Sequence, residues 1–111
     1  MSDQPIHPLC LRLIDTVGTN LPGIQSDFHA YQEACFTTRP PEFFALELTG
    51  EAGELANLIK KVWKGADVPQ AQIADEAADV LIALMNFCNS QGVDLGAAVR
   101  EKLNRIELAR T

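Results

Sequence analysis

The sequence predicts an all-α fold, an antiparallel bundle of four to five helices that assembles as an oligomer. Apolar residues recur at helical spacing, and Pro and Gly fall where such helices would start and stop. The stretch from Ile73 to Cys88 is apolar around most of its circumference, as in the central helix of a bundle. With 111 residues, 47% of them hydrophobic, residues 1–111 read as one domain with a modest core, of a size at which oligomerisation adds burial.

Met1 to Pro5 is polar and reads as a frayed start. Residues 1–24 form an N-terminal segment in which His7-Pro8 opens a short helix through Leu9, Leu13 and Ile14, closed by Gly18. Thr19 to Gly23, with Asn20 and Pro22, reads as a loop. Ser26 or Asp27 then caps a helix carrying Phe28, Tyr31, Ala34 and Cys35, which stops near Arg39 because Pro40 and Pro41 follow. The next helix starts at Pro41 with Glu42 at its positive end and runs to Lys64 before Gly65, its last turn crowded with lysines that suit the dipole. Asp67, with Gln70 three residues on, caps the third long helix, and Gly92 follows its end. Asp94 caps the last, which reaches Arg110 through Val99, Leu103 and Ile106.

A net charge of -6 argues against nucleic-acid or anionic-membrane binding, both of which want clustered Lys and Arg. No apolar run approaches membrane-spanning length and the start does not resemble an export signal, so a cytoplasmic location is expected. Cys10, Cys35 and Cys88 form no CxxC pattern and read as small buried hydrophobes in a reducing compartment.

Glu51 and Glu54 stand three apart, as do Glu76 and Asp79, so each pair projects from one helix face. With Glu47 at 0° and about 100° per residue, Phe44, Val62, Leu55, Leu48, Ile59 and Ala52 fill an apolar arc from roughly 60° to 140°. On the same wheel Glu51 falls near 40° and Glu54 near 340°, with Leu58 between them, so these acids border the core. The short connection from Gly65 to Val68 folds the two helices back on each other and sets both acidic pairs at similar depth. The strip of Gln72, Asp75, Glu76, Asp79, Asn86 and Ser90 is, taken alone, equally consistent with a solvated side. From Gly65 through Val99 there is no Lys or Arg. Converging carboxylates there need a cation, and acids without His or Cys nearby select a hard one such as Mg²⁺, with Mn²⁺ also suitable.

The run Leu46-Glu47-Leu48-Thr49-Gly50-Glu51-Ala52-Gly53-Glu54-Leu55, with Lys60-Lys61 and Asp75-Glu76-Ala77-Ala78-Asp79-Val80-Leu81, resembles the MazG-like all-α nucleoside triphosphate pyrophosphohydrolases. Their motif is EExxE, a spacer, then ExxD; Tyr31-Gln32-Glu33-Ala34 is similar to the segment that commonly precedes it. The resemblance covers Phe28 to Arg105, and Gly50 departs from it by replacing the first Glu. It implies metal ligation by Glu51, Glu54, Glu76 and Asp79, with Glu51 or Glu54 helping to deprotonate the attacking water. It also implies hydrolysis of a nucleoside triphosphate to monophosphate and pyrophosphate, in nucleotide-pool housekeeping. Lys102, Asn104 and Arg105 become candidates for the phosphates. Glu47, one turn before Glu51, is either a substitute base or outer-shell acceptor for the lost Glu, or a boundary residue in a salt bridge.

A base pocket needs aromatic or apolar walls with a few polar groups; His29 and Trp63 are the candidates, while Phe43 and Phe44 read as core. A ferritin-like di-iron bundle is rejected, because His7 and His29 both precede every acidic pair and no Glu-x-x-His exists. The competing reading is a non-catalytic helical interaction module whose metal site has degenerated at Gly50. The expected assembly is a dimer or tetramer.

Overall fold

The computed structural model describes residues 6–110, and these form four helices: α1 (Pro8–Cys35), α2 (Pro41–Trp63), α3 (Gln70–Gln91) and α4 (Leu95–Ala109). The frayed start expected over Met1 to Pro5 lies outside the described residues.

α1 corrects the sequence reading most. It opens as expected, with Pro8 in its first turn and His7 Nδ1 accepting from the Leu9 N–H at 3.0 Å. It then continues unbroken through the expected loop at 19–23 and past both proposed caps, Ser26 and Asp27, with Pro22 inside the helix. An interior proline costs about 3 kcal/mol, so something must hold the helix together here. The start of α4 lies against this point: a Cβ added to Gly96 would stand 3.4 Å from Pro22 Cδ and 3.5 Å from Leu21 Cβ. The loop-favouring polar groups are also turned back onto the helix, with Asn20 Nδ2 donating to Thr16 O at 2.8 Å and Thr16 Oγ1 to Arg12 O at 2.9 Å. α1 ends at Cys35, short of Arg39, where Phe36 turns extended and its ring meets Tyr31 edge-on at 5.2 Å.

α2 starts at Pro41 with Glu42 in its first turn, as read from the sequence. α3 does not use Asp67 as its cap. Pro69 occupies that position without a side-chain hydrogen bond, and Gln70 is already the first helical residue. The helix closes on Gly92 in the left-handed region at φ 66°, which suits glycine. Asp94 caps α4 as expected, accepting from the Ala97 N–H at 3.1 Å.

The helices form two antiparallel pairs, α2 with α3 and α1 with α4, and α1 also crosses α3. Gln25, almost fully buried on α1, ties the pairs together. Its Nε2 donates to Val93 O at 2.8 Å and Asn89 Oδ1 at 3.3 Å, its Oε1 accepts from the Leu95 N–H at 2.8 Å, and Asn89 Nδ2 returns a bond to Gln25 O. At the other end of the α1–α4 pair the His7 N–H donates to buried Glu107, which also pairs with Arg110.

The single chain is open. Its radius of gyration is 17.2 Å, whereas a compact domain of this length has about 13 Å. Only Phe44, Leu58, Ala83, Met85 and Cys88 are buried apolar residues among those described. α3 is therefore not enclosed as its composition suggested, since Leu81 and Ile82 are exposed. On α2 the buried residues are Phe44 and Leu58, so the side facing α3 is the edge of the apolar arc nearest Glu51; Ile59 and Val62 face outward. Cys88 alone of the three free cysteines is buried as expected; Cys10 is half-buried and Cys35 exposed.

Candidate metal centre

Glu51 on α2 and Glu76 and Asp79 on α3 each bring one carboxylate oxygen to within 4.8 Å of the others. The rotation of α2 explains the choice of Glu51, because it shares the stripe of Phe44 and Leu58 that packs on α3. All three are half-buried. Glu54, nearer the rim, is exposed, although it is near enough to push the Glu76 carboxyl up. Glu76 and Asp79 thus face the partner helix, and the strip they belong to is not simply a solvated side.

The electrostatics would suit a cation. Oε2 of Glu51 and Oε2 of Glu76 are buried and have no hydrogen-bond partner among the described residues. Among the described residues no Lys or Arg forms an ion pair with the four acids; the ion pair present is Glu107 with Arg110. Burial, followed by the charges of Glu54, Asp79, Glu76 and Glu47, pushes the Glu51 carboxyl above the ordinary range. Burial and the neighbouring Glu54 and Asp79 do the same to Glu76. Carboxylates fixed this way, with orphaned oxygens and no counter-base, fit a hard divalent ion. A carboxyl raised in the folded state is protonated there while ionised in the unfolded chain, so its contribution to stability is lost as pH rises through the folded value. Glu107 has the opposite sign, held below its ordinary range chiefly by Arg110. In chelator the melting temperature should therefore rise as pH falls from neutrality into the ordinary carboxylate range, then drop once Glu107 takes up a proton. A melt series showing a monotonic loss on acidification would contradict this.

Two cavities that share Gln32, Thr37, Arg39, Phe44 and Asn86 lie on this side of the bundle, the larger approaching the cluster. One of about 450 Å³ is lined by Phe28, Tyr31, Phe36, Phe43, Phe44 and Ile82 with Gln32, Arg39, Asn86 and Glu47. Glu47 is one turn from Glu51 and Ile82 one turn from Asp79, so this aromatic chamber opens beside the acids. Arg39, its guanidinium 4.8 Å over the Phe43 ring, also lines a smaller, polar chamber of about 160 Å³ that contains His29, Glu33, Asn89 and Ser90. His29 thus lines a chamber, but the polar one. Phe44 is core as expected, while Phe43 is half-buried and forms a cavity wall.

Other candidates lie elsewhere. Trp63 is 86% exposed at the far end of α2, twelve residues and about 18 Å from Glu51. Lys102, Asn104 and Arg105 sit on α4, which packs along α1 and not along the α2–α3 pair that carries the acids. Gly50 points to open space, with nothing within 4 Å of where a Cβ would stand, so packing does not demand a glycine there. Gln32, Arg39 and Asn86 were not singled out from sequence as cavity residues. The i,i+4 spacing of Arg39 and Phe43 was the one local signal available.

A helical pair that brings carboxylates from both partners to one point, beside an aromatic chamber, is an all-helical arrangement that could hold a metal ion. The family model of the MazG nucleotide pyrophosphohydrolase domain matches residues 39–108, more than half of the chain, and the chain belongs to that family. No curated protein and no solved structure matches it.

Proposed function

We propose that residues 1–111 form one domain that hydrolyses a nucleoside triphosphate to the monophosphate and pyrophosphate, in cytoplasmic nucleotide-pool housekeeping. The observation that carries this is the convergence of Glu51, Glu76 and Asp79 on one point in a chain of this family. These three would hold Mg²⁺, or Mn²⁺, which when bound neutralises phosphate oxygens and makes a bound water easier to deprotonate. Glu54, at the rim beside Glu76, takes the proton from the attacking water; its exposure leaves it accessible to solvent. Glu47, exposed in the cavity wall beside Glu51, acts as an outer acceptor and adds negative potential to the site. The aromatic chamber takes the base in place of Trp63, and His29 stays at its polar neighbour.

The open fold calls for a homo-oligomer, a dimer or tetramer. Apolar side chains such as Leu46, at 73% exposure, and Trp63 have no cover in one chain. Since α4 packs away from its own acids, Lys102, Asn104 and Arg105 reach the phosphates only from a neighbouring copy. Light scattering should give a mass of at least twice 12.1 kDa. A mass of one chain would refute the assembly. No described helix is long and apolar enough to cross a membrane, and the net charge of -6 disfavours nucleic acid as a partner.

Pyrophosphate release from a panel of canonical and modified nucleotides, with Mg²⁺ or Mn²⁺, tests the reading. Turnover that Glu54→Gln suppresses supports it. Absence of turnover with either metal would leave the chain as a non-catalytic helical interaction module.

A further inference from the structure

We propose that Gln32 and Asn86 are the residues that read the base of the nucleotide, an inference that rests on the pyrophosphohydrolase reading above. Both stand in the wall shared by the aromatic and the polar chamber, Gln32 from α1 and Asn86 from α3. Both are half-buried. Their neighbours Gln25 and Asn89 spend their amides on each other and on the α3–α4 turn. The side-chain amides of Gln32 and Asn86 form no hydrogen bond with any described residue. Both amides line open cavities and are not committed to the protein, so they are free to meet a ligand that enters.

The surroundings specify the ligand. Phe28, Tyr31, Phe36 and Phe43 offer faces and edges for a flat heterocycle, and a primary amide presents a donor and an acceptor side by side, as the edge of a nucleobase does. Asn86 lies seven residues beyond Asp79 on α3, two turns along the same face and about 10 Å away. That separation matches the reach from a base edge to the phosphates of one nucleotide, so the base can meet Asn86 while the phosphates sit at Glu51, Glu76 and Asp79. Base selection is thereby assigned to α1 and α3, and phosphate chemistry to α2 and α3.

Two measurements test this. In the first, kcat/KM is determined with Mg²⁺ for the triphosphates of adenosine, guanosine, cytidine and uridine on the unaltered protein and on Asn86→Leu, Gln32→Leu and Asn86→Asp. The unaltered protein should prefer some bases, and each leucine variant should shrink the ratio between best and worst base by about tenfold or more, mostly through KM. Asn86→Asp keeps the size and loses the donor, so it should shift preference toward bases whose edge carries an amino group. In the second, the metal-free protein is titrated with the four uncharged nucleosides and followed by NMR. The Asn86 and Gln32 side-chain amide signals should move with the preferred nucleoside, and that response should vanish in the leucine variants. Equal scaling of all four bases by the variants, no base preference in the unaltered protein, or amide signals unmoved by every nucleoside would each overturn the proposal. Absence of turnover with every nucleotide would remove the pyrophosphohydrolase reading instead, and the nucleoside titration would then decide the base site by itself.

Discussion

Glu76→Gln should lower metal-dependent turnover more than about 100-fold, because even residues that only support a metal ligand cost 10- to 100-fold when lost. The same substitution should raise the melting temperature of the metal-free protein. Glu76 sits among Glu54, Asp79 and Asp75, with a buried oxygen that no described residue satisfies. A neutral amide relieves that repulsion and can donate to a neighbouring carboxylate. Stability gained where activity is lost distinguishes a built cation site from an ordinary surface cluster, in which neither quantity would move much. Glu51→Gln should behave alike, since its second oxygen is also buried and unpaired. Glu54→Gln should differ: lying outside the converging trio, it should reduce kcat while leaving the metal's stabilising effect in thermal melts largely intact. Calorimetric titration with Mn²⁺ alongside the melts would separate the two classes. Loss of metal binding in Glu54→Gln equal to that in Glu76→Gln would make Glu54 a ligand and remove it as the base.

Gln25→Leu should destabilise the chain by about 3 kcal/mol without touching the acids. It preserves volume but strands Val93 O, the Leu95 N–H and Asn89 Oδ1 in a region where each unsatisfied group costs about 1–3 kcal/mol. For a domain of this size that corresponds to a fall in melting temperature of about 10 °C or more. Gln25→Glu gives the sign of the hydrogen bonds. An ionised carboxylate still accepts from Leu95 but cannot donate to Val93 O or Asn89 Oδ1, so this variant should be poorest at neutral pH and recover part of the loss on acidification. A melting temperature for Gln25→Leu within about 2 °C of the unaltered protein would show that water replaces these bonds freely.

What could be read from residues was whatever rests on near neighbours. Pro41 with Glu42, Gly92 and Asp94 act within a turn of themselves, and the helix boundaries they mark stand where spacing put them. Pro22 inside α1 was unreadable because its tolerance depends on Gly96, more than seventy residues away, coming up against it. Gln25 had no local signal for the same reason, its side-chain partners lying 64 to 70 residues distant, and the His7 bond to Glu107 spans 100 residues, although Arg110 three residues on was a local partner. The carboxylates were visible as spaced pairs. Which of them meet depended on the rotation of α2, and the apolar arc indicated that only coarsely: its centre faces outward in the single chain, and its edge beside Glu51 faces α3. The aromatic chamber needs three helices and the extended link after Cys35, so spacing along any one segment could not reveal it.

The way α1 spans the molecule has a consequence for the order in which the protein assembles. α2 and α3 are consecutive and joined by a short turn, so their pairing closes a small loop and carries little entropic cost. α1 and α4 bring the two ends of the described chain together, with His7 meeting Glu107 across a separation of 100 residues. Contacts of such high sequence separation form late. The acids should therefore come together while the chamber beside them still lacks its α1 wall, and pulse-labelled hydrogen exchange should find α2 and α3 protected before residues 25–36. A chain caught at that stage could hold a metal ion and yet be blind to the identity of a base.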